Sequence, residues 1–203
     1  MKVVISYRSL RRALRSMQLL LIAAAVAGLG YCGFVMVDSW NFQRVERRQL
    51  ERVLMERRDP VAATPAEVPR PVADEGLIGR IEVPRLGLSA IVIEGTSPTT
   101  LRRAAGHISG TAFPGKPGNV GIAGHRDTFF RPLRNIRQND IVTLTTAAGE
   151  YRYRVVSTKV VSPDDVSVLS PGGGEVLTLV TCYPFYFVGS APDRFIVRAE
   201  RVS

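Results

Sequence analysis

The sequence predicts an all-β domain, a closed β-barrel of about eight strands with short helices, behind an N-terminal transmembrane helix. Residues 76–203 alternate apolar and polar side chains in short runs that turn residues separate, which is typical of barrels and not of βαβ layering. Residues 17–37 contain no charged side chain. A chain of 203 residues therefore holds one domain of ordinary size and an appendage.

The uncharged segment 17–37 has 21 residues, and as a helix it spans the hydrocarbon core of a bilayer. It exceeds the apolar region of a cleaved signal peptide, which is about 7–15 residues long. Five basic residues and no acid precede it, whereas the five arginines within about 20 residues after it are interleaved with glutamates. We therefore expect a cytoplasmic tail over 1–16 and a single-pass anchor, with the remainder extracytoplasmic, or periplasmic if the cell has an outer membrane.

Residues 38–75 are predicted to form an extracytoplasmic stalk. Trp40 and Phe42 suit the membrane interface. Apolar residues at helical spacing predict a short exposed helix over 42–58. Four prolines between positions 60 and 71 end this helix and predict a semi-rigid linker to about residue 75.

The composition excludes several classes of function. The net charge of +9 divides into +4 for residues 1–75 and +5 for residues 76–203, and no dense basic stripe occurs, so nucleic-acid binding is not expected. Two cysteines and two histidines argue against a zinc finger or a disulfide scaffold. No acidic run resembles a dedicated calcium site, and we expect neither a metal nor a cofactor.

Within residues 76–203 the alternation predicts strands at 77–83, 86–92, 120–122, 142–144, 151–156, 176–181 and 194–200. Short helical turns are predicted at 99–105 and 128–135. Clusters of Pro, Gly, Asn and Asp, such as residues 114–119 and 171–174, mark the turns between these elements.

Cys182 is a candidate nucleophile. It ends the apolar strand 176–181 and begins an aromatic loop, which places its sulfur at the rim of the predicted barrel. A thiol attacks a carbonyl as the thiolate, so a catalytic cysteine requires a cationic neighbour. The alternative role for one strand-end cysteine is that of a small buried apolar residue.

Two histidines and one arginine are candidates for the cationic neighbour. His107 and His125 each follow Ala-Gly, and His125 is favoured because it closes a strand in a polar setting. Arg194 opens the last strand, where a guanidinium is suited to hold an oxyanion. The alternative for Arg194 is an ordinary solvated side chain.

Three segments together carry a resemblance to a known family. Residues 121–127 read Gly-Ile-Ala-Gly-His-Arg-Asp, residues 178–182 read Thr-Leu-Val-Thr-Cys, and residues 194–197 read Arg-Phe-Ile-Val. This order resembles the sortases, cysteine transpeptidases of the cell envelope that fold as a closed β-barrel. The run after Cys182 is most similar to class D. Class C is less similar, because a second anchor and an Asp-Pro-Trp or Asp-Pro-Phe lid are lacking.

The resemblance implies a membrane-anchored enzyme that cleaves a C-terminal sorting motif such as Leu-Pro-x-Thr-Gly/Ala. Cys182 would be the nucleophile, His125 the acid and base, and Arg194 the group that stabilises the oxyanion. The implied partners are proteins that bear a sorting signal, an amine acceptor in the envelope and the lipid bilayer. A hydrolytic cysteine peptidase and an inactive envelope or pilus-associated binding module are the alternatives.

Three further residues receive supporting roles. Thr181 is expected to shape the site, although an ordinary strand role fits it nearly as well. Asp127 is a candidate to orient His125, against the alternative of a turn former. Tyr183 and the aromatic residues up to Phe187 are expected either to line the substrate groove or to pack in the core. His107 is expected to be structural.

Overall fold

A computed structural model describes residues 7–58, 76–171, 173–186 and 189–202. The chain divides into two compact units, Met1–Asn41 and Phe42–Ser203. Residues 1–6 of the predicted tail and the proline-rich linker from residue 60 to 75 lie outside the described residues.

The first unit consists of the N-terminal part of helix α1, which runs over Tyr7–Arg58. Its side chains from residue 10 to 33 are exposed, as are large apolar residues such as Leu20 and Leu29. An 18-residue window within Leu10–Glu56 has a mean hydropathy of 2.2, so this helix is long and apolar enough to cross a membrane.

The second unit contains a closed barrel of eight strands, as the alternating pattern predicts. The strands neighbour one another in the order β1-β2-β3-β4-β7-β8-β6-β5. Their bounds are β1 Leu77–Val83, β2 Leu88–Glu94, β3 Ala105–His107, β4 Gly118–Ala123, β5 Ile141–Thr146, β6 Gly149–Val161, β7 Glu175–Tyr183 and β8 Asp193–Arg201. Helix α2 spans Pro98–Arg103, and short 3-10 helices span Pro84–Leu86, Arg131–Asn135 and Val166–Leu169.

The direction of the strands decides which chain segments meet at one rim. β4 and β7 are parallel, so their carboxyl ends lie together, and β8 is antiparallel to β7 and begins at that same rim. The interior is filled by alternate side chains of the strands, for example Leu177 and Leu179, both 0% exposed. The intervening residues of β7, including Cys182, consequently face outward.

Several predicted elements differ from the structure in extent. β3 was not predicted, because three residues are too few to show a period. The strand predicted from residue 86 begins at Leu88, since Pro84–Leu86 forms a 3-10 helix that ends at Gly87 with a φ of 62°. β6 is longer than predicted at both ends. The 3-10 helix Val166–Leu169 was also missed.

The stalk helix requires a correction, because it is not exposed throughout. Leu50 is only 2% exposed, and Phe42 packs against Ile91 and Ile93. The side chain of Gln43 accepts a hydrogen bond from Ile91 N at 2.9 Å and donates one to Arg103 O at 2.8 Å. The pairing of β2 with β3 begins at Val92, one residue after Ile91. Gln43 therefore supplies the hydrogen-bond acceptor that β3 does not offer to the backbone amide of Ile91.

Candidate active site

The carboxyl ends of β4 and β7 lie at one rim, where the chain continues into the segment of His125 and into Cys182. Ala123 pairs with Val180, and Gly124 N donates to Val180 O at 3.1 Å. The parallel alignment therefore continues beyond the end of β4 and sets His125 in the next segment, alongside the end of β7. Both the thiol-bearing residue and the histidine are half-buried.

Arg194 faces Cys182 across the antiparallel β7–β8 pair, in which the two residues are direct Cα partners. Directly opposed residues of such a pair project to the same face of the sheet. The Nη1 of Arg194 donates to Asp193 O at 3.0 Å and lies 3.4 Å from Ala191 O. A half-buried guanidinium is thus held at the rim on the face that carries the thiol.

Comparison with known proteins assigns the chain to a family. A family model described as Sortase domain matches residues 81–202, which is more than half of the chain. The chain belongs to the sortase family. Sortase D of Bacillus subtilis strain 168 is 30% identical over 194 residues, covering 91% of this chain and 97% of its own. Sortase A of Bacillus anthracis is 30% identical over 130 residues, covering 62% and 60%.

Solved structures give the same result. The Sortase D5 transpeptidase of Clostridium perfringens superposes with a TM-score of 0.62 at 28% identity and covers 79% of this chain and 99% of its own. Sortase C-1 of Actinomyces oris has a TM-score of 0.59 at 28% identity, covering 65% and 76%. The family, the class D likeness and the barrel that the sequence predicts are confirmed. The roles of individual residues stay predictions.

Thr181 of this sortase joins the two strands next to the site. It is 2% exposed, and its Oγ1 donates to Gly124 O at 2.7 Å. A Cβ at Gly124 would lie 2.7 Å from a ring carbon of Phe130, so only glycine permits the ring to pack this closely against the backbone. Thr181 therefore ties the peptide before His125 to the strand before Cys182, which gives the predicted supporting role a specific contact.

The aromatic residues after Cys182 divide into two groups. The rings of Tyr183, Phe185 and Phe195 pack together, with centroids 5.3–6.3 Å apart. Tyr186 is 78% exposed, and the guanidinium of Arg134 lies 5.6 Å from its ring centroid. Phe187 lies outside the described residues. Packing thus accounts for Tyr183, and its role toward a substrate stays a prediction.

Asp127 is exposed, and among the described residues no hydrogen bond joins it to His125. Its orienting role stays a prediction without a contact to support it. His107, by contrast, is 1% exposed, with Nδ1 2.6 Å from Glu94 Oε2 and Nε2 3.0 Å from Ala112 O. Both ring nitrogens of this buried side chain therefore have hydrogen-bond partners. This arrangement favours the structural role predicted for His107.

Sequence reasoning missed Arg126. Its Nη1 donates to Pro184 O and its Nη2 to Gly189 O, each at 2.9 Å. The signal available in the sequence was its place directly after His125. Its partners are 58 and 63 positions away and could not be read from the pattern.

Proposed function

We propose that this sortase cleaves a C-terminal sorting motif of the Leu-Pro-x-Thr type through a thioester on Cys182 and transfers the acyl group to an envelope amine. The observation that supports this most is the direct pairing of Cys182 with Arg194, at the rim where the segment of His125 is bonded to β7. Nucleophile, cation and proton carrier then share one outward face of the barrel.

In the first half-reaction the Cys182 thiolate attacks the carbonyl carbon that follows the threonine, forming the C–S bond. The oxyanion of the tetrahedral intermediate accepts hydrogen bonds from Arg194, a planar cationic donor suited to that charge. The C–N bond breaks, and the His125 imidazolium gives its proton to the leaving amine. The products are the thioester and the released C-terminal fragment.

In the second half-reaction an acceptor amine attacks the thioester carbonyl. Neutral His125 takes the proton of the attacking nitrogen, and the C–S bond breaks to release Cys182 as the thiolate. Water in place of the amine gives a carboxylic acid and a hydrolytic peptidase. The two outcomes differ only in the nucleophile, so the product decides between them.

We further propose that α1 anchors the sortase in the bilayer by its apolar segment, with the N-terminus in the cytoplasm and the barrel outside. The supporting features are the exposed apolar surface of α1 and the unmixed basic residues that precede it.

The test uses the full chain in detergent micelles with a Leu-Pro-x-Thr-Gly peptide and triglycine as the amine. We expect a peptide–triglycine product, a trapped acyl-enzyme of the corresponding mass, and loss of both in Cys182→Ala. The matched control is Cys32→Ala, which removes the other thiol and should retain full transfer. Undiminished turnover in Cys182→Ala would refute the assignment, and a purely hydrolytic product in the parent would favour the peptidase.

A further inference from the structure

Arg126 connects the segment that carries His125 with the loop between β7 and β8. The loop runs over residues 184–192, from just beyond Cys182 to just before Arg194. The half-buried guanidinium of Arg126 donates through both Nη atoms, to Pro184 O and to Gly189 O, at 2.9 Å each. One side chain thus contacts the loop at two carbonyls that are five residues apart in the chain.

The planar donor fork of arginine explains why two separated carbonyls converge on it. A guanidinium offers several N–H groups in fixed directions, whereas a lysine ammonium is a point donor on a flexible stem. The Pro184 carbonyl is two residues beyond Cys182, and Gly189 is five residues before Arg194. Fixing both carbonyls therefore restrains the chain just after Cys182 and just before Arg194, relative to the residue next to His125.

Arg134 offers a comparison on the same loop. Among the described residues of the loop it contacts the ring of Tyr186, which is 78% exposed. That contact is with an exposed side chain and not with a backbone carbonyl. Arg134 is consequently a matched control, because it is also an arginine that touches residues 183–192 but holds neither carbonyl.

We infer that Arg126 is a positioning residue, which clamps the β7–β8 loop and thereby sets the alignment of the Cys182 thiol with the His125 imidazole. The inference rests on the proposed function, in which Cys182 is the nucleophile and His125 the proton carrier. A displacement of about 1 Å between reacting groups lowers a rate by about 100-fold, so loss of the clamp reduces the rate of the chemical step.

The experiment compares Arg126→Met, Arg126→Lys and Arg134→Met in the full chain carrying Cys32→Ala, so that Cys182 is its single thiol. Three quantities are measured: the pH profile of Cys182 alkylation by iodoacetamide, amide hydrogen exchange across residues 183–192 and the barrel strands, and kcat and KM with the peptide. Alkylation and exchange need no peptide substrate.

We expect both Arg126 variants to show a shifted alkylation profile, faster exchange confined to residues 183–192, and a kcat lowered by about 10- to 100-fold. Arg134→Met should match the parent in all three. Retention of the parent profile and kcat in Arg126→Met overturns the inference. So does faster exchange throughout the barrel in both Arg126 variants, which would mark a merely structural role. Full activity in Arg126→Lys overturns the two-carbonyl clamp.

Failure of the inference is distinguishable from failure of the proposed function. If Cys182→Ala retains turnover, or if His125→Ala leaves the alkylation profile unchanged, the proposed chemistry fails irrespective of Arg126. If both of those variants behave as proposed and the Arg126 variants match Arg134→Met, only the positioning role is refuted.

Discussion

Cys182 on β7 and Arg194 on β8 are direct partners in an antiparallel pair, so their side chains leave the same face of the barrel at its rim. Strand register, and not a flexible loop, sets the distance between the proposed nucleophile and the proposed oxyanion donor. A site built on strands holds its geometry better than one built on loops.

Arg194→Ala should lower kcat by about 100- to 1,000-fold, the usual effect of removing an oxyanion donor. Arg198→Ala is the matched control, because Arg198 lies four residues along the same strand and pairs with Thr178. Steady-state peptide transfer measures both variants. An equal loss in the two would show that general positive charge, and not the pairing with Cys182, matters.

His125→Ala should lower transfer by about 100- to 10,000-fold, the range for loss of a general acid and base. His107→Gln should keep a far larger share of the activity but lower the melting temperature, because it disturbs a buried ring that is bonded to Glu94 and Ala112. Activity measured below both melting temperatures separates the effects. The reverse pattern would make His107 the catalytic histidine.

Leu50→Ala should destabilise the unit Phe42–Ser203 by about 2–5 kcal/mol, as for other buried leucines. Val45→Ala is the control on the same helix, because Val45 is 58% exposed and should change stability little. Urea unfolding, followed by the fluorescence of the tyrosines in the barrel, compares the two. Equal stability of the variants would show that the helix does not pack on the barrel in solution.

The stability of the barrel should fall as the pH rises from about 10 to 12, through the side chain of Tyr153. Burial raises the pKa of Tyr153 to about 12, with a further contribution from Glu175. Between the unfolded and folded pKa values the unfolded chain binds fewer protons, so alkali favours unfolding.

Tyr153→Phe should remove this part of the alkaline decline. It should also stabilise the protein at neutral pH, because the described residues offer the buried hydroxyl of Tyr153 no hydrogen-bond partner. Melting temperatures between pH 7 and 11 measure both effects. If the melting temperature of Tyr153→Phe falls with rising pH as steeply as that of the parent, Tyr153 is not the group responsible.

At acid pH the carboxylate of Asp140 should lose its contribution to stability. The hydrogen bond from Arg85, together with the Arg137 amide at 2.7 Å, holds the pKa of Asp140 below its usual value. This contribution is complete above the unfolded pKa of about 4 and is lost as the pH falls through the lower, folded pKa. In Asp140→Asn, the free energy of unfolding should decrease less between pH 5 and pH 2, about the range of carboxyl titration. The same pH dependence in Asp140→Asn and the parent would refute the contribution of Asp140 to stability.

Local patterns of the sequence account for most strands of the barrel and for the candidate residues. The alternation around Tyr153 has a period of two, and the run before Cys182 is a short apolar stretch, so both are local properties of the sequence. β3 escaped prediction because Ala105–His107 is shorter than any recognisable period. The buried face of the stalk helix was not predicted because helical spacing shows which residues share a face, but not which strand that face packs against.

The apolar N-terminal segment, the all-β class and the three motifs of the sortases can be read from the sequence without coordinates. These properties depend on residue type and on spacing within a few neighbours. The pairing of Cys182 with Arg194, the two carbonyls bound by Arg126 and the hydrogen bonds of both nitrogens of His107 become visible only in the folded barrel. Those relationships follow from strand register and barrel closure, which bring together residues far apart in the chain. Contacts of this kind produce no periodic pattern in the sequence.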